Sequence, residues 1–269
     1  MIVDFHTHVF PDKIANSTIS ALSSNSGNKP STDGTVQGMI KAMDRSSADI
    51  CVTLPVLTKS TQFDSVARFA KSINDEFKGK EKRLVSFAGM HPDCDGVDEK
   101  MSFLKEQGFL GVKIHPDYQS TYIDDKRYIE ILKCAKKYDL IVVTHSGIDD
   151  GYVGHPIRCT PDRVLNVIEE VGHEKFVLAH FGAHRQWREV LDKLAGKNVY
   201  FDTAFTFHEI DPVLFKEIVF KHGSDKILFA TDCPWRDIKD DLEIFESMGF
   251  SDEIKQKILY KNALRLLGI

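Results

Sequence analysis

Eight short apolar runs, each followed by an amphipathic stretch, recur along the whole chain and leave it few ways to fold. They lie at residues 2–6, 50–55, 84–89, 111–115, 141–145, 176–180, 199–202 and 227–231, with helical patterns between them at 63–77, 126–138, 161–171, 186–194 and 212–222. Parallel strands need a long crossover, and a crossover helix covers the sheet face, so this alternation is the pattern of βα units. Eight units in 269 residues predict a closed (β/α)8 TIM barrel, whose usual size is about 250 residues, in preference to a doubly wound open sheet. Two further patterns, 242–248 and 252–267, close the ring; no linker, low-complexity tail or domain boundary interrupts the sequence, so 1–269 reads as one catalytic domain. One stretch breaks the rhythm. Residues 16–33 are rich in Ser, Asn and Gly and contain Pro30, which predicts a long loop over the catalytic face.

Composition narrows the function classes. With 42% hydrophobic and 28% charged residues the chain has globular composition, and a formal net charge of −5 argues against a general affinity for nucleic acid or anionic membrane. No apolar run reaches bilayer-spanning length, and the chain opens on a strand instead of a signal segment, so a cytoplasmic location is expected. The five cysteines are scattered, with no pair at zinc-site or redox spacing, and are expected to be reduced structural thiols.

A barrel builds its active site from the C-terminal ends of its strands. The first run ends in His6 Thr7 His8, and residues two apart on a strand share a face, so both imidazoles converge while Phe5 and Thr7 face away. The plainer alternative is a strand with two exposed histidines. The fourth run ends at His115, the fifth at His145, the sixth at His180 and the eighth just before Asp232. Neutral imidazoles and one carboxylate around an open water position are what a water-activating divalent cation needs, and His6, His8, His145 and Asp232 supply that set. Such a cation can bring bound water from a pKa of 15.7 to about 7. Asp232 can also accept the water's proton, while His180 polarises substrate or shuttles a proton.

These residues also carry a resemblance. Asp4, His6 and His8, the run Gly111 to Pro116, His145 Ser146 Gly147, Ala179 His180 Phe181 Gly182, and Thr231 Asp232 Cys233 Pro234 together resemble the amidohydrolase superfamily. Within it, the likeness is to the branch containing aminocarboxymuconate-semialdehyde decarboxylase and related metal-dependent decarboxylases and hydratases. The resemblance implies His6, His8, His145 and Asp232 as metal ligands, His180 as a catalytic or second-metal histidine, and a possible homodimer. Binuclear relatives carry a carboxylated lysine or a glutamate where this chain has Lys113. The plainer role for Lys113, neutralising inner carboxylates or binding a substrate carboxylate, is preferred. One or two ions are expected, zinc first, with manganese, iron or cobalt also suited to these ligands.

Around this set, His115 and His91 are candidate substrate contacts, with packed or loop-bound histidines as the alternative. Lys113, Arg185 and Arg236 are candidate partners for a substrate carboxylate, and Trp235 and Tyr118 are flat walls. His184 faces the pocket, His155 lies near its rim, and His173 and His222 end helices, where a charged imidazole suits the dipole. The function expected first is a metal-dependent hydrolase of an amide, lactam or ester in a small carboxylate-bearing molecule. The alternative is a non-oxidative decarboxylase or hydratase using the same ligands. A metal-dependent deoxyribonuclease fits less well, because that group has a glutamate where the fourth strand offers Lys113 and His115. A non-catalytic metal-binding barrel would need a closed ligand shell, and nothing in the sequence points to one.

Overall fold

In the computed structural model, which describes residues Met1–Ile269, all eight apolar runs form parallel strands. They are β1 (Val3–Thr7), β2 (Ile50–Thr53), β3 (Arg83–Ser86) with its continuation β4 (Ala88–Gly89), β5 (Gly111–Ile114), β6 (Ile141–Thr144), β7 (Phe176–Leu178), β8 (Tyr200–Asp202) and β9 (Ile227–Leu228). The strand 83–89 bonds to β2 through its first half and to β5 through its second. Backbone bonds then close the ring: Phe5 N to Phe229 O at 2.9 Å, Asp232 N to His6 O at 2.8 Å and His8 N to Cys233 O at 2.6 Å. The fold is a TIM barrel of parallel strands.

Two apolar layers hold it. Val3, Phe5, Val52, Val85, Val143, Val177 and Leu228 come from strands far apart in the sheet yet form one buried cluster, so they fill the barrel interior. Leu266 and Leu267 of α11 (Asn262–Leu267) plug its lower end. A larger cluster lies between the strands and the helices, among them α3 (Phe63–Phe77), α5 (Lys126–Lys137), α6 (Pro161–Val171) and α8 (Pro212–His222). Thr160 and Asp211 cap α6 and α8, each just before a proline that suits the first helical turn. No helix is long and apolar enough to cross a membrane. All five cysteines are free thiols.

The expected loop at 16–33 is mostly helix: α1 spans Asp12–Ser26 and stops at Gly27, whose φ of 76° continues no helix. Its Ser and Asn content hides an apolar spacing, with Ala15 and Ile19 four apart and both buried. Only the remainder, leading to α2 (Val36–Ser46), is loop.

His173 and His222 are structural, but they are neutral pins and not dipole-stabilised cations. His173 Nε2 donates to Leu140 O at 2.8 Å. His222 Nε2 donates to Val199 O at 3.0 Å, its Nδ1 accepts from Gly196 N at 3.1 Å, and its ring stacks on Phe201 at 3.9 Å. Burial pulls the His222 pKa from 6.5 down to about 4. The unfolded chain therefore takes up a proton that the folded chain refuses, so this ring's contribution is intact above about pH 6.5 and is lost as pH falls towards about 4. The loss is on the order of 3 kcal/mol at most. His222→Gln is expected to lower Tm at neutral pH but to flatten its fall on acidification; a Tm–pH slope equal to that of the parent chain would refute the assignment.

Candidate active site

The first strand does not alternate simply. Asp4 pairs with Cys51 but Thr7 pairs with Thr53, so β1 spends one residue more than β2 over the same span. Such a bulge re-aims side chains. Phe5, expected to face away, packs inside the barrel against Phe87, and the next residue, His6, still lines the cavity above.

Hydrogen bonds fix the ring states at this end. His6 Nδ1 donates to Asp202 Oδ2 at 2.9 Å, and His8 Nδ1 donates to Leu54 O at 2.9 Å. In the neutral rings the Nε2 atoms then carry lone pairs, and these stand 3.3 Å (His6) and 3.0 Å (His8) from Asp232 Oδ1. Three electron-pair donors within 4.8 Å of one another repel unless a positive charge lies among them. Part of it comes from Lys113, whose Nζ donates to His6 Nε2 at 3.1 Å. The donor set fits a divalent cation, since both imidazoles are already oriented by an acceptor on their far nitrogen.

Burial and Coulomb forces pull in opposite directions here. Burial alone would raise the Asp232 pKa; only positive charge at the His6 and His8 nitrogens reverses this and holds it below the ordinary carboxylate range, and with both rings neutral a bound cation would have to supply that charge. Burial pulls Lys113 down to about 8, with Asp202, Asp232 and Asp149 opposing the shift, so it remains a cation at neutral pH. Burial lowers His6 well below 6.5, and the Lys113 charge lowers it further.

A second line of imidazoles runs beside the first. His180 Nδ1 donates to Ala204 O at 3.0 Å, so its Nε2 is an acceptor and receives Nδ1–H of His145 at 2.9 Å. That leaves His145 Nε2 bare, buried and without a partner, 3.9 Å from both Asp117 Oδ2 and Asp149 Oδ2. His115 stacks on His145 at 4.3 Å, with its Nε2 3.4 Å from Asp149 Oδ2. His6, His8 and Asp232 thus converge directly, whereas His145 stands with His180 on one nitrogen and with His115 and Asp149 on the other side.

The backbone is bent to present these groups. His180 and Asp232 hold φ values of 58° and 69°, a region that strains non-glycine residues, and are tied by His180 N to Asp202 Oδ1 and Asp232 N to His6 O. Gly147 has φ 86°, and a Cβ there would lie 2.1 Å from His184 N. Only glycine lets the loops after β6 and β7 pair this closely, through His184 N to Ser146 O at 2.8 Å.

These side chains share one cavity of about 500 Å³, walled by Tyr118, Phe205 and Trp235. Lys113, His115, His184 and Trp235 line it as expected. Arg236 does not: its Nε and Nη2 both reach Asp241 Oδ1, at 2.9 and 2.8 Å, because a fully buried carboxylate five residues on claims the fork. Arg185 is likewise held by Glu209 and Asp150. His91 turns away too, its Nδ1 accepting from Asp93 N at 3.1 Å. His155 is an exposed rim residue against Tyr152, and His208 packs on Phe205. Asp202, Asp149 and Asp117 join the site beside His6, His115 and His145 without a sequence motif to mark them. Asp202 ends a barrel strand, as the anticipated ligands do, and that position was the available signal.

A family model described as Amidohydrolase matches residues 3–269. A sequence search of the curated proteins finds no match. Among solved structures, a 2,6-dihydroxybenzoate decarboxylase complexed with 2,6-dihydroxybenzoate aligns with 19% identity and a TM-score of 0.72, covering 100% of this chain and 99% of that one. The 5-carboxyvanillate decarboxylase of Sphingomonas paucimobilis aligns with 13% identity and a TM-score of 0.71, covering 100% and 99%. A dihydroxybenzoic acid decarboxylase from Polaromonas sp. JS666, with bound manganese and the inhibitor 2-nitroresorcinol, aligns with 17% identity and a TM-score of 0.71, covering 99% and 96%.

The Asp202 contact sets which nitrogen of His6 faces the site, which gives a direct test. In Asp202→Asn the amide oxygen can keep the His180 and Ala204 backbone bonds, while its NH2 meets His6 Nδ1 and drives the ring to the other tautomer. Divalent-metal affinity measured by competition with a chelator is expected to fall roughly 10–100-fold with unchanged far-UV circular dichroism; an unaltered affinity would show that His6 orientation does not matter.

Proposed function

The chain belongs to the amidohydrolase family, and on that premise we propose that it is a metal-dependent decarboxylase of an aromatic acid, its whole length working as one catalytic unit. Sequence put hydrolysis first and decarboxylation second; what supports the reverse order is the run of decarboxylases among the full-length structural neighbours. The observation that carries the reading is Lys113, a buried cation with its Nζ beside the His6–His8–Asp232 donor set in a flat-walled cavity. A substrate carboxylate placed there is neutralised on one side by the ammonium and stripped of water by the walls.

His6, His8 and Asp232 would hold the cation, with His145 as the next donor and His180 beside it. Bound there, a divalent cation supplies Lewis-acid polarisation of a substrate oxygen. Nitrogen and carboxylate donors suit manganese, which the Polaromonas neighbour binds, as well as zinc.

The chain's own groups then manage the proton. In the net reaction the bond from the ring carbon to the carboxylate carbon breaks, its electron pair stays on the ring carbon, carbon dioxide leaves, and the ring carbon takes one proton. Asp232, ionised and engaged by the imidazoles only through Oδ1, takes the proton of a substrate ring hydroxyl on its other oxygen and returns it to that carbon, so that the product leaves the step as the phenolate. His180, pinned at Nδ1 by Ala204 O, accepts Nδ1–H of His145 at its Nε2 and so holds the bare His145 Nε2 in a fixed place beside the site.

The test is to incubate the metal-replete protein with a panel of hydroxylated aromatic monocarboxylic acids that includes 2,6-dihydroxybenzoate. Carbon dioxide release is expected without oxidant, with deuterium at the vacated carbon when the reaction runs in D2O. Lys113→Met is expected to raise KM roughly 10–100-fold, the worth of a charged hydrogen bond, with metal content held, since it removes a competing positive charge. Inertness towards the acids alongside cleavage of lactones or amides would instead establish hydrolysis.

A further inference from the structure

The cavity is larger than its metal-facing end needs, and it continues between α1 and α3. Ile14, Thr18 and Leu22 form a stripe four residues apart along α1, and Val66 and Phe69 of α3 line the same space. The other stripe of α1, Ala15 and Ile19, is buried in the protein. The helix therefore has two apolar faces, and the protein covers only one. Ile14 is 48% exposed although it lines the cavity. The roof is fixed in place: Asn25 Nδ2 donates to Gly151 O at 3.0 Å and Asn28 Nδ2 to Asp150 Oδ2 at 3.2 Å, tying the end of α1 to the loop after β6.

Charge points the same way. Lys113 is the one lysine or arginine that lines the cavity, and Arg185 and Arg236 are committed to carboxylates elsewhere. Asp149 and Asp150 also line it, and Asp150 already holds Arg185 at 2.7 Å, so beyond the metal-facing end a second anion would meet carboxylates and find no free cation.

Resting on the decarboxylase reading, we propose that the substrate is a monocarboxylate whose acid end lies at Lys113 and whose long, uncharged, apolar substituent fills the groove between α1 and α3. Ile14, Leu22, Val66 and Phe69 select it, and dicarboxylates are excluded.

Binding of benzoate, 4-butylbenzoate and 4-hexylbenzoate to the metal-replete protein, followed by isothermal titration calorimetry, tests this directly. Affinity is expected to rise by roughly fourfold for each methylene that enters the groove. A diacid of matched length, carrying a carboxylate at the chain end, is expected to bind at least tenfold more weakly than the hexyl compound. Leu22→Asp, and independently Ile14→Asp at a half-exposed position where folding is safe, should abolish the chain-length gain and leave benzoate binding and metal content unchanged. Benzoate binding without a chain-length gain, or a diacid that binds as well as the alkyl acid, overturns the groove assignment and leaves the decarboxylase reading standing. Benzoate that binds Lys113→Met as well as the parent chain removes the anchor itself, and both readings fall together.

Discussion

Everything at the catalytic end depends on the seam where β1 meets the last strand. His6 O accepts from Asp232 N at 2.8 Å, so a residue near the start of the chain and one near its end are fixed side by side. The buried Asp4 carboxyl reinforces the seam by accepting from His6 N at 3.2 Å and from Thr231 N at 3.1 Å, with the Thr231 hydroxyl on its other oxygen. Burial pushes Asp4 up to about 8, which keeps an uncompensated charge out of the core. Closure of the ring is thus also the assembly of the donor set. In an open sheet His6 and His8 would still share an edge, but Asp232 would lie on the opposite one.

The seam brings together groups that would not choose each other in water. Two lone-pair nitrogens face a carboxylate oxygen, and behind them His145, His180 and His115 are all buried and uncharged. Each ring is held by an acceptor from the scaffold or a neighbour: Asp202 for His6, Leu54 O for His8, Ala204 O for His180, His180 itself for His145. The interior packing of Phe5, Phe87, Val143 and Val177 beneath them lets the barrel tolerate this electrostatic tension at one end. Lys113 is the internal counter-charge, buried with its Nζ on His6 Nε2 at 3.1 Å.

The cover over the site is likewise part of the scaffold. α1 packs one stripe inward, lines the cavity with another and is tied at its end to the loop that carries Asp149 and Asp150. Metal-facing and groove-facing ends of the cavity are therefore set by different parts of the chain: strand ends for the chemistry, α1 and α3 for what is admitted. A barrel of this kind can change its substrate by altering helix surfaces while leaving the strand-end histidines alone.

Local pattern alone sets the βα rhythm, the eight strands to within three residues at their ends, helices such as Pro161–Val171 and Pro212–His222, and which strand ends carry histidine or aspartate. Periodicity is a property of neighbouring residues, so it is legible without tertiary information. Other outcomes needed the folded ring. The bulge that turns Phe5 inward, the choice of Asp202 to orient His6, and the separation of His145 from the His6–His8–Asp232 group all depend on register between strands far apart in the chain. The helix α1 was obscured by its Ser and Asn content, which favours turns unless a cavity wall and an inner stripe both hold the segment helical. Arg236 shows the limit from the other side: a carboxylate five residues away was visible in the sequence, but only the burial of Asp241 decided that it would claim the arginine before any substrate could.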